Sequence, residues 1–251
     1  MSGFGKIGVI GAMDSETAQL ISLLDGRKKE TLSGLDLYTG TMRGKTVTVV
    51  KCGIGKVNAA RTAQLLIDRF SPDAIINTGI AGGTDPELSV GDTVVATGLV
   101  QHDFDLTGFG YTKGAMSGFE KDRPTVFGCD ERLTEALFTA AVRVSGETDE
   151  SADPSGASDD STIAKGLVAT GDVFVYDSAI RHFIRDTFGA ACTEMEGGAI
   201  AQVCALSGVP FAVLRVLSDT AGGEAAESFD AFEKMAADRS AAICETFISL
   251  L

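Results

Sequence analysis

Hydrophobic and polar positions along the chain alternate between two periods, which predicts short buried strands followed by amphipathic helices. Lys6–Met13, KIGVIGAM, is an apolar run that ends in small residues. The next segment, DSETAQLISLL, spaces its apolar residues as a helix does, with Asp14 or Ser15 as the expected cap. The two segments together predict a strand that leads into a helix.

The same alternation continues along the rest of the chain. LDLYTGTMRGKTVTVVKCG has a hairpin pattern that turns at MRGK. Further strands are predicted at DAIINTGIAGG, GDTVVATGLV, KGLVATGDVFV, GAACTEM and PFAVLRVLSD. Further helices are predicted at KVNAARTAQLLIDRF, DERLTEALFTAAVRV, DSAIRHFIRDTF, EGGAIAQVCALSG and ESFDAFEKMAADRSAAICETFISLL. This order predicts one α/β domain over residues 1–251, a three-layer sandwich whose mixed, mostly parallel sheet has helices on both faces.

Charge and cysteine content narrow the classes of function. The formal net charge of −14 disfavours binding to nucleic acids and to anionic membrane surfaces. The five cysteines are scattered and never spaced as CxxC, which predicts reduced thiols and no metal site. We expect a cytoplasmic protein, because the sequence has neither a secretory signal pattern nor a membrane-length apolar run. Residues 147–160, ETDESADPSGASDD, hold six acids and no base, which predicts a mobile acidic surface insert.

Three acids follow predicted strands, at the edge where open α/β sheets bind ligands. Glu16 comes after KIGVIGAM, Glu196 after GAACTEM, and Asp219 at the end of PFAVLRVLSD. Alternatively, Glu16 only stabilises the first turn of a helix, and Asp219 only caps the element that follows it. Few polar residues lie near Glu196 in the sequence. The three acids together favour one shared cleft. The glycine-rich Asn77–Gly83 ends another strand, where backbone amides can approach a ligand.

Other motifs give weaker signals. The segment Gly53–Asn58, GIGKVN, lacks the third glycine of GxGxxG, which argues against a dinucleotide site. His102, in HDFDLTGFGY, is expected to be a hydrogen-bonded turn residue. Glu194 is expected to hold its strand end in place by hydrogen bonds to nearby backbone or a neighbouring side chain. Phe174 and Met195, seen alone, have the apolar character of core residues.

Eight segments of the chain resemble one known family when they are taken in order. They are IGAMDSE, NTGIAGG, VGDTVVA, HDFDLTGFGY, TGDVFV, EMEGGAIAQVC, LRVLSD and SFDAF. In this order they resemble the bacterial 5′-methylthioadenosine/S-adenosylhomocysteine nucleosidases, of the purine nucleoside phosphorylase and uridine phosphorylase superfamily. The resemblance implies a sheet that curls into a distorted barrel and a homodimer. It also implies hydrolysis of adenine thionucleosides, as in methionine salvage, without a metal or cofactor.

The resemblance also implies roles for the three acids. Glu16 would be the general base that activates water, Asp219 the general acid that protonates N7 of adenine, and Glu196 the residue that holds the ribose hydroxyls. Carboxylates suit this chemistry, because the transition state carries positive charge on the sugar while the base leaves with negative charge. These roles require a protonated Asp219 when substrate is bound and an ionised Glu196.

Further residues of the matching motifs would bind the nucleoside. Phe174 would stack on the adenine, and the Val175 backbone would bind its edge. Met195 would lie against the ribose, and Arg215 near the water and Glu16. The remaining positions that the motifs place in the pocket are Ala81, Gly82 and Ser218.

The thioalkyl side of the pocket would involve two subunits. Ile54 and Phe229 would line it, while Leu106 and Phe109 would reach into the pocket of the neighbouring subunit. Ile80 departs from the family, since many relatives carry serine there and this chain therefore lacks a hydroxyl.

Three alternatives stay open at this point. A phosphate-dependent purine nucleoside phosphorylase would need cationic donors, which the glycine-rich segments do not offer. An aminofutalosine nucleosidase shares the motifs. A non-catalytic nucleoside-binding protein would be marked by loss of one of the three acids, and all three are present.

Overall fold

The computed structural model describes residues 3–147, 161–219 and 225–251, without the side chains of residues 147 and 225–231. The predicted acidic insert at 147–160 therefore lies outside the described residues, apart from the backbone of residue 147. The strands are β1 (Lys6–Gly11), β2 (Asp25–Leu32), β3 (Leu35–Met42), β4 (Lys45–Lys51), β5 (Ala74–Gly83), β6 (Thr93–Gln101), β7 (Val126–Gly128), β8 (Ile163–Thr170), β9 (Ala190–Glu194) and β10 (Phe211–Asp219). The α-helices are α1 (Asp14–Ser22), α2 (Lys56–Phe70), α3 (Glu131–Glu147), α4 (Ser178–Phe188), α5 (Gly197–Ser207) and α6 (Ala225–Leu250).

The predicted helices and strands are present, with two additional strands and one shorter one. β2 has the polar sequence DGRKKETL and is exposed at most positions, so no hydrophobic alternation marks it. β7 is only three residues long. β8 ends at Thr170, whereas the sequence predicted a strand as far as Val175. The residues after Thr170 form a loop, and this loop reaches the functional site.

Five strands close into a ring. β5 pairs with β10, β10 with β6, β6 with β8, β8 with β9, and β9 returns to β5. From β5 the sheet continues through β1, β4 and β3 to β2, and β7 adds to β6. Among the described strands, five of the ten pairings are parallel and five antiparallel. The expected closure of a mixed sheet into a distorted barrel is confirmed.

Helices cover both faces of the sheet, as predicted. Neighbouring residues of β5 illustrate the division, because Ile75 packs in the core under α2 and α5, while Ile76 packs in the core under α1, α3 and α6. Side chains of a strand point alternately to opposite faces, so each strand contributes to both cores. None of the helices in the described ranges is both long and apolar enough to cross a membrane. All five cysteines are free thiols, as the sequence predicted.

Candidate active site

A cavity of about 470 Å³ opens at the carboxyl ends of several strands. Glu16 follows β1, Glu196 follows β9, and Asp219 ends β10, and all three side chains line this cavity. Each of the three acids is almost fully buried. The complete lining consists of Ala12, Met13, Glu16, Ile54, Ile80, Ala81, Gly82, Phe174, Thr193, Glu194, Met195, Glu196, Ser218 and Asp219. The fold therefore brings three acids from distant parts of the sequence to one wall.

Glu16 lies in the first turn of α1 and completes the start of that helix with its own carboxylate. Its Oε2 accepts hydrogen bonds from the backbone amides of Ala12 at 2.5 Å and Met13 at 3.0 Å. The helix begins with Met13 as its N-cap, so the expectation that Asp14 or Ser15 would cap it was wrong. A buried carboxylate at the third position of the helix supplies the acceptor instead.

The second oxygen of Glu16 faces β5. Oε1 accepts a hydrogen bond from the Ile80 amide at 3.2 Å. Gly79 makes this approach possible, because a Cβ at that position would overlap the Glu16 carboxylate. Burial raises the pKa of Glu16, although the nearby Arg215 charge and the backbone amides act in the opposite direction. Glu16 therefore holds a proton more tightly than an exposed glutamate does, which suits a proton acceptor.

Glu194 lines the cavity and forms a buried ion pair with Arg215, which lies behind the lining. Arg215 Nη2 lies 2.5 Å from its Oε2, and both side chains are 2% exposed. The same oxygen accepts the backbone amides of Glu196 at 3.0 Å and Gly197 at 2.7 Å, while Oε1 accepts the Thr170 hydroxyl. Burial by itself would raise the pKa of Glu194, but the guanidinium outweighs it and lowers that pKa. The expected hydrogen-bonding role of Glu194 is confirmed, and the ion pair adds to it.

Arg215 lies behind the cavity wall, not on its surface. Its Nη1 donates to the Leu214 carbonyl at 2.8 Å and its Nη2 to the Asn77 side chain and Glu194. The sequence predicted that Arg215 would lie near Glu16. The charge of Arg215 does act on Glu16, where it opposes the rise in pKa that burial causes. The carboxylate partner of Arg215, however, is Glu194 and not Glu16, and a desolvated guanidinium requires such a directly paired carboxylate.

Glu196 begins α5 and points into the cavity. Its Oε1 accepts a hydrogen bond from the Gly55 amide at 2.8 Å. Burial, and then the charge of Glu194, raise the pKa of Glu196 to about 8. This direction differs from the expectation of an ionised Glu196 for the protein without substrate, because a raised pKa favours the protonated carboxyl. The Arg215 charge acts in the opposite direction but does not outweigh these effects, because Arg215 pairs with Glu194 and not with Glu196.

Asp219 reaches the cavity through an irregularity in β10. The register with β5 shifts between Leu217 and Asp219, and such a bulge turns consecutive side chains toward the same side. Ser218 and Asp219 consequently both line the cavity. The Ser218 hydroxyl donates to Asp219 Oδ2 at 3.1 Å.

The other predicted pocket residues differ in whether they line the cavity. Those that line the cavity are Ile54, Ile80, Ala81, Gly82, Phe174 and Met195. Val175 lies beside it, on a small adjoining cavity of about 40 Å³. Leu106 and Phe109 do not line it, and Phe109 is 80% exposed. The side chain of Phe229 lies outside the described residues.

Two cavity-lining features were missing from the sequence prediction. Ala12 and Met13 line the cavity, and the motif IGAMDSE that contains them was the available signal. Thr193 lines it too, beside Glu194, and nothing in its strand pattern distinguishes it from a core position. Ile80, the position at which the sequence departs from the expected motif, packs in an apolar cluster with Val216.

His102 differs from its predicted role as a hydrogen-bonded turn residue. It does lie in a turn, and its backbone amide donates to the Thr170 carbonyl at 2.9 Å. Its side chain is 4% exposed, and its Nε2 has no hydrogen-bond partner among the described residues. Burial lowers the pKa of His102. The ring packs against Gly171, where a Cβ would overlap it.

Comparison with known proteins identifies the family. Residues 6–249 match the family model of the phosphorylase superfamily. A 5′-methylthioadenosine/S-adenosylhomocysteine nucleosidase of Anoxybacillus flavithermus is 42% identical, over 98% of this chain and 99% of the relative. This chain belongs to the methylthioadenosine/S-adenosylhomocysteine nucleosidase family. The resemblance found in the sequence is therefore confirmed over nearly the whole chain.

Solved structures agree with membership of the nucleosidase family. The Neisseria meningitidis nucleosidase in complex with methylthio-immucillin-A superposes with a TM-score of 0.87 at 35% identity, covering 98% of this chain and 100% of that one. The native futalosine hydrolase of Helicobacter pylori has a TM-score of 0.84 at 32% identity and covers 99% of both chains. The nucleosidase fold thus also serves a futalosine hydrolase.

Proposed function

We propose that this protein hydrolyses the N-glycosidic bond of 5′-methylthioadenosine and S-adenosylhomocysteine, releasing adenine and the corresponding thioribose. The observation that carries the proposal is the convergence of Glu16, Glu196 and Asp219 on one cavity in a member of the nucleosidase family. The cavity volume of about 470 Å³ is in the range that small-molecule ligands occupy.

In this proposal the reaction uses one acid on each side of the bond that breaks. Glu16 accepts a proton from water, and the water oxygen bonds to C1′ of the ribose. The bond between C1′ and N9 breaks, and its electron pair leaves with adenine, which Asp219 protonates at N7. The raised pKa of Glu16 supports its part, because a carboxylate of higher pKa is a stronger base.

Glu196 binds the ribose hydroxyls in this proposal. Two hydroxyl donors favour the ionised carboxylate. Substrate binding therefore lowers the pKa of Glu196 and opposes the effect of burial, which raises it. Phe174 offers a ring for stacking on adenine, Met195 an apolar contact for the sugar, and Ile54 one for the thioalkyl group. All three line the same cavity as the acids.

The charges in the cavity favour water over phosphate as the nucleophile. None of the described residues that line it carries a positive charge, whereas four of them are acids. The nearest buried guanidinium, that of Arg215, is paired with Glu194. A phosphate dianion would therefore meet carboxylates without a cationic donor, which argues against a phosphorylase.

The proposal extends to a homodimer that acts in methionine salvage in the cytoplasm. Phe109 and Ile54 are exposed by 80% and 54%, so both offer apolar surface to a partner subunit, and Ile54 also lines the cavity. The five free thiols are typical of a reducing compartment. Sedimentation at equilibrium tests the dimer directly, since a monomer at micromolar concentration would contradict it.

The decisive experiment measures release of the free base in phosphate-free buffer. The purified protein is incubated separately with methylthioadenosine, S-adenosylhomocysteine, aminofutalosine and inosine. We expect adenine from the first two nucleosides. Adenine from neither, or a strict requirement for added phosphate, would refute the proposal. Base release from aminofutalosine alone would instead indicate the activity of the futalosine hydrolase neighbour.

A further inference from the structure

Three loops are joined by a ring of polar contacts, which we call the clasp and define by Lys56, Asp103 and Asp172. Lys56 Nζ lies 2.6 Å from Asp103 Oδ1. Asp103 Oδ2 accepts the backbone amide of Asp172 at 3.0 Å, and Asp172 Oδ1 accepts the backbone amide of Lys56 at 2.8 Å. The contacts return to the residue from which they started, so the loops after β4, β6 and β8 are tied together.

The clasp supplies the cap that α2 lacks in its own sequence. Gly55 is the N-cap of α2 and has no side chain with which to bond the first turn. Its φ of 100° is a conformation that favours glycine, and a Cβ there would lie 3.1 Å from Asp172 Oδ1. Asp172, 116 residues further along the chain, provides the missing acceptor at the Lys56 amide. A carboxylate at this end of a helix also interacts favourably with the helix dipole.

The Lys56–Asp103 ion pair is largely shielded from solvent. The two side chains are only 18% and 23% exposed, and Lys56 Nζ also donates to Gln101 Oε1 at 3.3 Å. Burial would raise the pKa of Asp103, but the ammonium of Lys56 and the Asp172 amide lower it overall. Asp103 is therefore ionised, and the pair has the low exposure at which removing one partner has a measurable effect.

The clasp is connected to Glu196 through a single backbone amide. The Gly55 amide donates to Glu196 Oε1 at 2.8 Å, and Gly55 lies between the cavity and the Lys56 amide that Asp172 holds. Within the described residues this is the one hydrogen bond that the Glu196 carboxylate accepts. The orientation of Glu196 consequently depends on where the first turn of α2 is held.

We propose that Lys56, acting through Asp103 and Asp172, is a positioning residue that holds the Gly55 amide against Glu196 and so prepares Glu196 to bind ribose. This inference rests on the proposed function for the role of Glu196. It goes beyond that role, because Lys56, Asp103 and Asp172 do not line the cavity. The GIGKVN segment, for which the sequence argued against a dinucleotide site, contributes Gly55 and Lys56 to this arrangement.

The test is a double-mutant cycle between Lys56→Met and Glu196→Gln, with kcat/KM for methylthioadenosine as the measurement. Lys56→Met keeps the aliphatic stem and removes the charge. We expect it to lower kcat/KM about ten-fold in the wild-type background, since small displacements of a binding group reduce rates strongly. In the Glu196→Gln background the same substitution should change the rate less than about two-fold. Equal losses in both backgrounds, or no loss in either, would overturn the proposal.

A matched control separates positioning from general loss of an ion pair. Lys165 pairs with Glu135 at the same distance of 2.6 Å, away from the cavity. Lys165→Met should leave kcat/KM unchanged, and comparable losses in Lys56→Met and Lys165→Met would contradict a specific role. Asp103→Asn breaks the clasp from its other side and should reproduce the Lys56→Met result if Lys56→Met folds poorly in thermal unfolding.

A binding measurement distinguishes failure of this proposal from failure of the proposed function. If the wild-type protein releases no adenine, the function is refuted, and the clasp is then judged by calorimetry alone. Lys56→Met should weaken the binding of methylthioadenosine about ten-fold, as the kinetic effect does, and leave the binding of adenine, which has no ribose, unchanged. Equal weakening of both ligands, or of neither, would refute the positioning role whatever the activity.

Discussion

Glu194 and Arg215 form an ion pair that is sealed from solvent, with Nη2 and Oε2 2.5 Å apart and both side chains 2% exposed. Glu194 lines the cavity and Arg215 lies behind it, and the charge of Arg215 also acts on Glu16 and Glu196. The pair therefore determines which acids of the site are ionised. Glu194 is ionised, while Glu16 and Glu196 have raised pKa values.

Removal of the Glu194 charge should destabilise the protein strongly. Glu194→Gln leaves Arg215 buried without a carboxylate, and we expect the free energy of unfolding to fall by about 3–5 kcal/mol. Urea denaturation measures this change. Glu135→Gln is the matched control at the exposed Lys165–Glu135 pair and should cost less than about 1 kcal/mol. Similar small losses in the two variants would contradict the importance of the buried pair.

Glu16→Gln should remove catalysis and preserve the fold. The amide is nearly isosteric with the carboxyl group and cannot accept a proton from water, so kcat should fall about 10²–10⁴-fold. Adenine release and thermal unfolding are measured together. Asp14 is the matched control, because it lies in the same helical turn and its side chain is 85% exposed. Asp14→Asn should behave as the wild type, and near-normal turnover in Glu16→Gln would exclude Glu16 as the base.

Asp219→Asn should abolish turnover while binding remains measurable. An amide cannot deliver a proton to N7 of adenine, yet it keeps the size and the hydrogen bond with Ser218. We expect a loss of about 10²–10⁴-fold in kcat, with the affinity for methylthio-immucillin-A still measurable by calorimetry. Turnover within a factor of about three of the wild type would remove Asp219 from the acid role.

The pH dependence of stability should reveal the Glu196 carboxyl. Its folded pKa of about 8 is above the ordinary glutamate value of 4.5, so between these values the folded protein binds a proton that the unfolded chain has released. The contribution of Glu196 to stability is thus present below about pH 4.5 and decreases as the pH rises through 8. Thermal unfolding from pH 5 to pH 8 measures this trend.

Glu196→Gln provides the comparison for that titration. Relative to the wild type, the variant should gain stability as the pH rises, by up to about 4 kcal/mol across the interval. Thermal unfolding of Glu135→Gln over the same pH range is the control, because the Glu135 side chain is 67% exposed and pairs away from the cavity. Parallel stability curves for the wild type and Glu196→Gln would show that Glu196 titrates normally.

The sequence predicted the layers of the fold because hydrophobic periodicity reports burial directly. β5 is buried at all ten positions and was evident as an apolar run. β2 was missed for the opposite reason, since its lysines face solvent and its strand character depends on pairing with β3. Element order was likewise predictable, whereas the return of β9 to β5 involves residues more than a hundred positions apart.

The predictability of the site differed from residue to residue. Glu16, Glu196 and Asp219 were predictable as site residues because each comes at the end of a predicted strand, and the strand ends of a parallel sheet meet at one edge. Protonation states were not accessible from sequence, because they depend on which acid receives the guanidinium of Arg215. The clasp was missed as well, since Lys56, at the start of α2, and its two acid partners are residue types usual at surfaces and come from three separate parts of the chain.

The closed ring of strands has a consequence for the order in which the chain can assemble. β5 needs β9 and β10 as neighbours, with Gly82 opposite Thr193 and Ile75 opposite Phe211. During synthesis, β5 leaves the ribosome long before either partner exists, and its apolar edge stays open until the last strand arrives. The nascent protein therefore passes through a stage that is prone to association with chaperones or with other copies, and it acquires Asp219 only when that stage ends.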